Sequence, residues 1–393
     1  MLTSLNDINL KEIRDPFFVY KPKNLKKSIK SFLNYFPGET LYAVKTNPSD
    51  FVLKKIYDHG IKSFDVASIN EVKLVKKLFK SANVYFMNPV KSRFAIKEAY
   101  FNYGVRHFSL DTDEELEKII QCTNFASDLN LHLRISIPNH YAEINLSKKF
   151  GVDGTEAKKL LIKMKKLSKK IGVSFHPGSQ CMNPLAYKFA ISKTASLIKE
   201  SCINVSYFNI GGGFPSKYPG MEPEPLKKYF RVINKEFSKH FHKNSDVILL
   251  SEPGRVLVSN SMSLVVRVDL RKKNNLYIND GTYGYMHDAG VNGFTYPVKQ
   301  FRKKKKIKLV PFSFYGPTCD SNDFMEGPFL LPESIAEGDY IELEQMGAYS
   351  ITMKNNFNGF YSEPKIFIQD PLKNKIHFRD LKNGNKITTN LGF

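Results

Sequence analysis

Over the first two thirds of the chain, short apolar runs rich in β-branched and aromatic residues alternate with longer stretches of helical periodicity. The apolar runs fall at Leu41–Lys45, Ser63–Ala67, Val84–Asn88, Arg106–Leu110, Leu131–Ile137, Gly172–His176, Ser206–Ile210 and Asp246–Ser251. Runs this short, bounded by turn residues, read as buried strands. Helical spacing covers Pro48–His59, Ile69–Lys80, Asp113–Asp128, Thr155–Ile171 and Glu224–His242, and Lys23–Tyr35 precedes the first strand. Parallel strands need crossover helices, so eight strands separated by helices predict a (β/α)8 barrel. An open doubly wound sheet is the alternative, but no G-x-G-x-x-G follows an early strand.

Beyond about Val258 the period changes. Ser263–Leu270, Leu276–Asn279, Ile307–Tyr315, Tyr340–Glu344 and Lys365–Ile368 read as strands, with turns at Asn279-Asp280-Gly281 and Glu337-Gly338-Asp339. The expectation is an α/β chain in two parts: a barrel over 21–258 and an all-β domain over 259–393, to which residues 1–20 add a strand.

Composition narrows the class. A chain of 393 residues with 42% hydrophobic positions can bury two cores. No apolar run reaches the roughly 18 residues of a membrane span, and the start, Met1 to Asn9, lacks the regions of a signal peptide. Cys122, Cys181, Cys202 and Cys319 show no pairing of a zinc or disulfide framework. A cytoplasmic enzyme without a metal is expected. The formal charge of +21 raises nucleic-acid binding. The lysines argue against it, being spread along helices as at Lys158, Lys159, Lys163, Lys165 and Lys166, with a dense run only at Lys303–Lys306, placed in a loop.

Chemistry gathers where the strands end. Those exits read Lys45, Asp65 to Ser68, His176 to Ser179, Gly211-Gly212-Gly213 and Glu252-Pro253-Gly254-Arg255. In barrel enzymes the C-terminal strand ends carry the active site. Lys45 closes an apolar strand before Asn47-Pro48, so its base is expected to be desolvated and its amine nucleophilic toward a carbonyl. The glycine run can wrap backbone N–H groups around a phosphate, with Arg255 adding charge, or it can be a flexible corner.

Taken together, these segments resemble the fold-type III pyridoxal-phosphate decarboxylases of the alanine-racemase-like family, and within it the ornithine/lysine decarboxylases. The matching stretches are Tyr42 to Asn47, Phe64 to Ser68, His176 to Ser179, Gly211 to Pro215, Glu252 to Arg255, Asn279 to Gly281, Gly316 to Asp320, Gly347 to Tyr349 and Phe357 to Phe360, in family order. The resemblance implies that Lys45 holds pyridoxal phosphate as a Schiff base and that His176 stacks on its ring. It implies that Ser179, Gly211, Gly212, Gly213, Gly254, Arg255 and Tyr349, with Asp65, line the cofactor. Glu252 would keep the pyridine nitrogen protonated, a role in which alanine racemases place an arginine. Cys319 would protonate the α-carbon after CO2 leaves, and Asp320, with Tyr283, would bind the substrate's distal ammonium.

The family also implies a homodimer with shared active sites. Cys319-Asp320-Ser321 differs from the Cys-Glu-Ser of diaminopimelate decarboxylases. The expected substrate is therefore a small basic amino acid: L-ornithine giving putrescine, or L-lysine giving cadaverine. Diaminopimelate or carboxynorspermidine decarboxylation and an inactive regulatory homologue remain as rivals.

Some positions stay open. Glu71, three residues after Ser68, reads as a helix cap before a cofactor contact. Arg134 either reaches the cofactor's surroundings or pairs with a barrel carboxylate. Relatives carry a second distal-amine aspartate where this chain has Gly293-Phe294-Thr295-Tyr296, and Asp288 is the candidate replacement.

Overall fold

The computed structural model describes residues 13–146, 148–241, 246–300, 308–360, 363–370 and 375–377. The Lys303–Lys306 run lies outside them. The chain forms two compact units, one of residues 29–216 with 222–256, the other of 1–28, 217–221 and 257–393.

The first unit is a closed barrel of eight parallel strands. Around the barrel they run Glu39–Ala43, Ser63–Val66, Asn83–Phe86, His107–Leu110, Asn130–Arg134, Lys170–Ser174, Tyr207–Asn209 and Ile248–Ser251. Each lies within a few residues of an apolar run in the sequence. Leu41, Tyr85, Met87, Tyr207 and Leu250 pack together as one apolar cluster. The crossovers include the helices Asp50–Asp58, Ile69–Leu78, Asp113–Cys122, Gly154–Leu167 and Leu226–His240. Several begin at side-chain caps: Ser68 accepts from the Glu71 N–H and Thr112 from the Glu115 N–H.

Two expected helices stop early. Asn124 and Phe125 take positive φ after Cys122, and the strand Lys170–Ser174 claims residues that periodicity had assigned to the helix ending at Leu167. The helices Arg93–Lys97 and Leu185–Ser201 were not among the expected spans. The second has apolar residues around much of its circumference and therefore a weak amphipathic pattern.

The second unit holds a nine-stranded mixed sheet. Met262–Lys272 is its longest strand and pairs antiparallel with Phe17–Tyr20, Asn275–Ile278 and Tyr340–Leu343. Phe17–Tyr20 also pairs in parallel with Lys365–Asp370. The strand Phe324–Pro332 went unread because Gly327, Pro328 and Pro332 break its pattern. Residues 217–221 join this unit through Tyr218, whose ring meets Phe294 at 5.3 Å and Tyr296 at 5.5 Å, and through the Thr295 hydroxyl, which donates to Pro219 O at 2.9 Å. Among the described residues no helix is long and apolar enough to cross a membrane.

Candidate active site

Lys45 does not extend its strand. Glu39–Ala43 ends two residues earlier, and Val44–Thr46 makes one 3-10 turn closed by the Asn47 N–H on Val44 O. That turn lifts the lysine off the barrel wall. Its side chain is 45% exposed, so the burial expected at its base is modest, and Nζ lies 3.5 Å from Asp65 Oδ2. Asp65, on the neighbouring strand, is itself buried.

Glu252 stands at the exit of Ile248–Ser251 and is 4% exposed. Burial, reinforced by the nearby Asp65 carboxylate, raises its pKa to about 7 against the opposing pull of Lys45 and Arg134. Asn209 donates its amide to Glu252 Oε1 at 2.6 Å and accepts the Gly211 N–H through its carbonyl oxygen at 2.9 Å. Sequence reading missed Asn209, although a polar residue ending an apolar strand beside the glycine run was the available signal.

Arg134 ends the strand Asn130–Arg134 and feels the Glu252, Asp65 and Asp111 carboxylates, which oppose the lowering of its pKa by burial. Its charge thus lies among carboxylates, of which Glu252 and Asp65 are themselves expected to line the cofactor. Glu71 accepts the Ala67 N–H at 2.7 Å while its own N–H goes to Ser68 Oγ, so it caps the helix one residue further back than a standard capping box.

His176 is kept neutral: burial first, then the Arg134 and Lys45 charges, hold its pKa well below the usual histidine range. The Gly178 N–H donates to its Nδ1 at 3.1 Å, which places the ring proton on Nε2. The glycine run packs directly against it. A Cβ on Gly212 would sit 2.5 Å from Glu252 O and 3.2 Å from His176 Nε2, and one on Gly211 would sit 2.3 Å from Phe175 O. These are close backbone approaches that only glycine allows. Ser179 lies on the short strand Ser179–Cys181, and Gln180 ties that strand to Ser216 by two hydrogen bonds of 2.7 and 2.8 Å. Ser216 reaches Arg255 O at 3.5 Å, and Arg255 is buried. A Cβ on Gly254 would lie 2.0 Å from Thr46 Oγ1.

Cys319, Asp320 and Tyr283 come together in the second unit. The Tyr283 hydroxyl donates to Asp320 Oδ2, and the Asn322 N–H donates to Oδ1 at 2.9 Å. The Asn322 bond, then Tyr283, lowers the Asp320 pKa and keeps it ionised. Cys319 is exposed, and its N–H and Sγ lie 3.2 and 3.4 Å from Asn358 Oδ1. Buried Asp323, also missed from sequence, shapes this loop by accepting from Thr282 N–H, Thr318 N–H and Thr318 Oγ1.

Tyr349 sits in the left-handed region at φ 54°, an unusual conformation for an aromatic residue that holds it in a set direction after Gly347. Asp288 corrects an expectation. It is buried in the short helix His287–Val291 and accepts from Asn292 at 2.9 Å, which makes it a packing residue rather than an open carboxylate. Phe294 and Tyr296 are likewise buried, against Tyr218.

The barrel residues fit a phosphorylated pyridine aldehyde. A lysine amine stands beside the buried Asp65, the buried Glu252 carboxyl would gain from a cationic ring nitrogen, a neutral imidazole packs against the glycine run, and that run with Arg255 can provide anion donors.

Comparison with known proteins agrees. The family described as pyridoxal-dependent decarboxylase, pyridoxal binding domain, matches residues 23–259. Antizyme inhibitor 2 of Xenopus laevis is 34% identical over 92% of this chain and 82% of its own length. The lysine/ornithine decarboxylase of Selenomonas ruminantium is 30% identical over 92% and 91%. The structure of the Paramecium bursaria Chlorella virus arginine decarboxylase bound to agmatine superposes with a TM-score of 0.81 at 28% identity, covering 91% of this chain and 98% of that one.

Proposed function

The chain belongs to the pyridoxal-dependent decarboxylases, and from that premise we propose that it converts L-ornithine to putrescine and CO2, with L-lysine as the nearest competing substrate. Relatives named as lysine/ornithine and ornithine decarboxylases act on basic amino acids, which supports this reading. The observation that carries the finer reading is Asp320, held ionised beside Cys319 by Tyr283 and the Asn322 N–H. A chain of formal charge +21 repels a cationic substrate at long range, and a fixed carboxylate offsets that repulsion locally. Ornithine and lysine differ by one methylene, worth only about 1–3 kcal/mol in a pocket, so both belong in the test.

When bound, pyridoxal phosphate supplies the electron sink for the bond that releases CO2. Lys45 provides the amine that attaches it. Ser179, Gly213, Arg255 and Tyr349 would bind its phosphate end, with Gly211, Gly212 and Gly254 lining the cofactor. Glu252 holds a proton on the ring nitrogen, with Asn209 orienting the carboxylate. Neutral His176 presents its ring face without adding a competing charge. Cys319 delivers a proton to the substrate α-carbon, and Asp320 holds the distal ammonium while Tyr283 steadies it. Four free cysteines support a cytoplasmic setting.

The working unit in this reading is a homodimer in which the barrel of one protomer completes its site with the Cys319–Asp320 loop of the other. Mixing Lys45→Ala with Cys319→Ala protomers should restore roughly a quarter of activity by statistical pairing, because one hybrid site carries both lesions and the other neither. No recovery after verified subunit exchange would remove the shared site.

The likeness to antizyme inhibitor 2 keeps a second reading, an inactive homologue that binds a protein partner. Visible absorbance that borohydride abolishes, together with CO2 release, would dismiss it. The deciding experiment is product analysis after incubation with ornithine, lysine, arginine, diaminopimelate and carboxynorspermidine. Release of CO2 from diaminopimelate alone would overturn the substrate assignment.

A further inference from the structure

Three successive carbonyls of the glycine run are each held by a different donor. Gly211 O accepts the Glu252 N–H at 2.8 Å, Gly212 O the Tyr187 hydroxyl at 2.7 Å, and Gly213 O the Cys181 N–H at 2.8 Å. In a trans peptide the next residue's N–H points opposite to the carbonyl. These bonds therefore set the directions of the Gly212, Gly213 and Phe214 N–H groups.

The middle peptide is the vulnerable one. Like the peptide before it, it joins two glycines, and Gly211 and Gly213 already sit at φ 67° and 89°. With no Cβ on either side, little in the chain itself keeps such a peptide from rotating. Its tie is also the only one of the three made by a side chain.

Tyr187 is well built for that task. It is buried in the first turn of the helix Leu185–Ser201 and stacks on Phe214 with ring centroids 5.1 Å apart. Its edge meets Tyr229 at 6.0 Å, and the Tyr229 hydroxyl donates to Cys181 O at 2.8 Å, steadying the residue that holds Gly213. Burial raises the Tyr187 pKa far above the phenol range, so its hydroxyl stays a donor.

We propose that Tyr187 is a positioning residue for the cofactor's phosphate: by holding Gly212 O from behind, it turns the Gly213 N–H toward the phosphate. This rests on reading the glycine run as the phosphate site. Tyr187 acts through Gly212 O alone, and its effect is confined to the phosphate end.

The test is equilibrium dialysis of apo-protein against pyridoxal 5'-phosphate and against pyridoxal, which lacks the phosphate. Tyr187→Phe keeps the ring stack and removes only the hydroxyl. The expected result is a roughly three- to tenfold weaker affinity for pyridoxal phosphate, the loss of one ordinary hydrogen bond, with pyridoxal affinity unchanged. Inorganic phosphate should compete less well in the variant by the same factor. Tyr229→Phe, which frees only Cys181, should give a smaller loss of the same selectivity and stands in if Tyr187→Phe does not fold. Equal weakening of both ligands, or none, overturns the proposal. Arg255→Met separates the two ideas. If it abolishes the preference for the phosphorylated ligand while Tyr187→Phe does not, only the role of Tyr187 fails. If neither affects the preference, the phosphate site itself is misplaced.

Discussion

Acid should weaken this fold through two histidines that play no part in the chemistry. His107 and His132 lie on adjacent barrel strands, with His107 Nδ1 2.9 Å from His132 Nε2. Asn130 donates to His107 Nε2 at 3.2 Å, so Nδ1 carries the proton and gives it to His132. Tyr85 and Tyr207 pack against the pair. Burial, then the Lys170 charge, lowers the His107 pKa to about 3, and burial holds His132 well below its ordinary value of 6.5. Both pKa values are lower in the folded state than in the unfolded one. Well above pH 6.5 neither state is protonated and the pair is neutral toward stability. As pH falls below 6.5 the unfolded chain takes up two protons that the native protein refuses, and stability drops. One unit below, at pH 5.5, each histidine costs about 1.4 kcal/mol and the pair about 3 kcal/mol, a sizeable share of a typical 5–15 kcal/mol.

Glu252 and Glu71, whose pKa values are raised, act in the opposite direction, so the measurement must be a difference. His107→Asn with His132→Gln keeps an amide-to-carbonyl hydrogen bond in place of the ring pair and removes both titrations. Urea unfolding of the two proteins at pH 7.5 and 5.5 should show wild type losing about 3 kcal/mol more than the variant. Equal losses would mean that the pair is protonated in the native state, and the argument from burial would fail.

Four further outcomes follow from the site. Lys45→Ala should abolish turnover and covalent cofactor attachment, read by loss of borohydride-fixed absorbance; normal activity would displace the site from the barrel. Glu252→Gln should bind cofactor yet decarboxylate at least tenfold more slowly, about 1.4 kcal/mol in barrier, because an amide cannot balance a cationic ring nitrogen; a smaller change in kcat counts against that role. Cys319→Ala should misdirect the proton and yield the aminated cofactor plus an aldehyde, whereas Asp320→Ala should lower kcat/KM for ornithine and lysine; unchanged kcat/KM would end the distal-amine assignment. Gly254→Ala should destabilise the barrel by about 1–3 kcal/mol through overpacking on Thr46, and adding Thr46→Ala, which removes the contacting hydroxyl, should recover most of the loss in thermal melts.

Much of the architecture was readable without coordinates. All eight barrel strands lie on or beside the runs read from the sequence, because each carries buried apolar residues that mark it against the polar turns around it. The turns at the strand exits could be located for the same reason: polar and glycine residues interrupt those runs where the chain leaves the core. Family resemblance then attached chemical roles to Lys45, Glu252, Cys319 and Asp320, which local pattern alone does not specify.

What only tertiary structure decided are properties set by neighbours distant in sequence. The pKa of Glu252 depends on Asp65, Lys45 and Arg134, each on a different strand end. Asp288 lies near the expected segment in sequence, yet packing buries it. Asn209 and Tyr187 gain their meaning from the peptide and carboxylate they hold. The strand Phe324–Pro332 forms despite its glycine and prolines because Leu309–Tyr315 supplies a partner ladder. Local pattern records which apolar positions the fold buries, since taking apolar surface out of water is favourable wherever it occurs. Partnership and charge environment are properties of pairs, and those pairs exist only once the barrel closes.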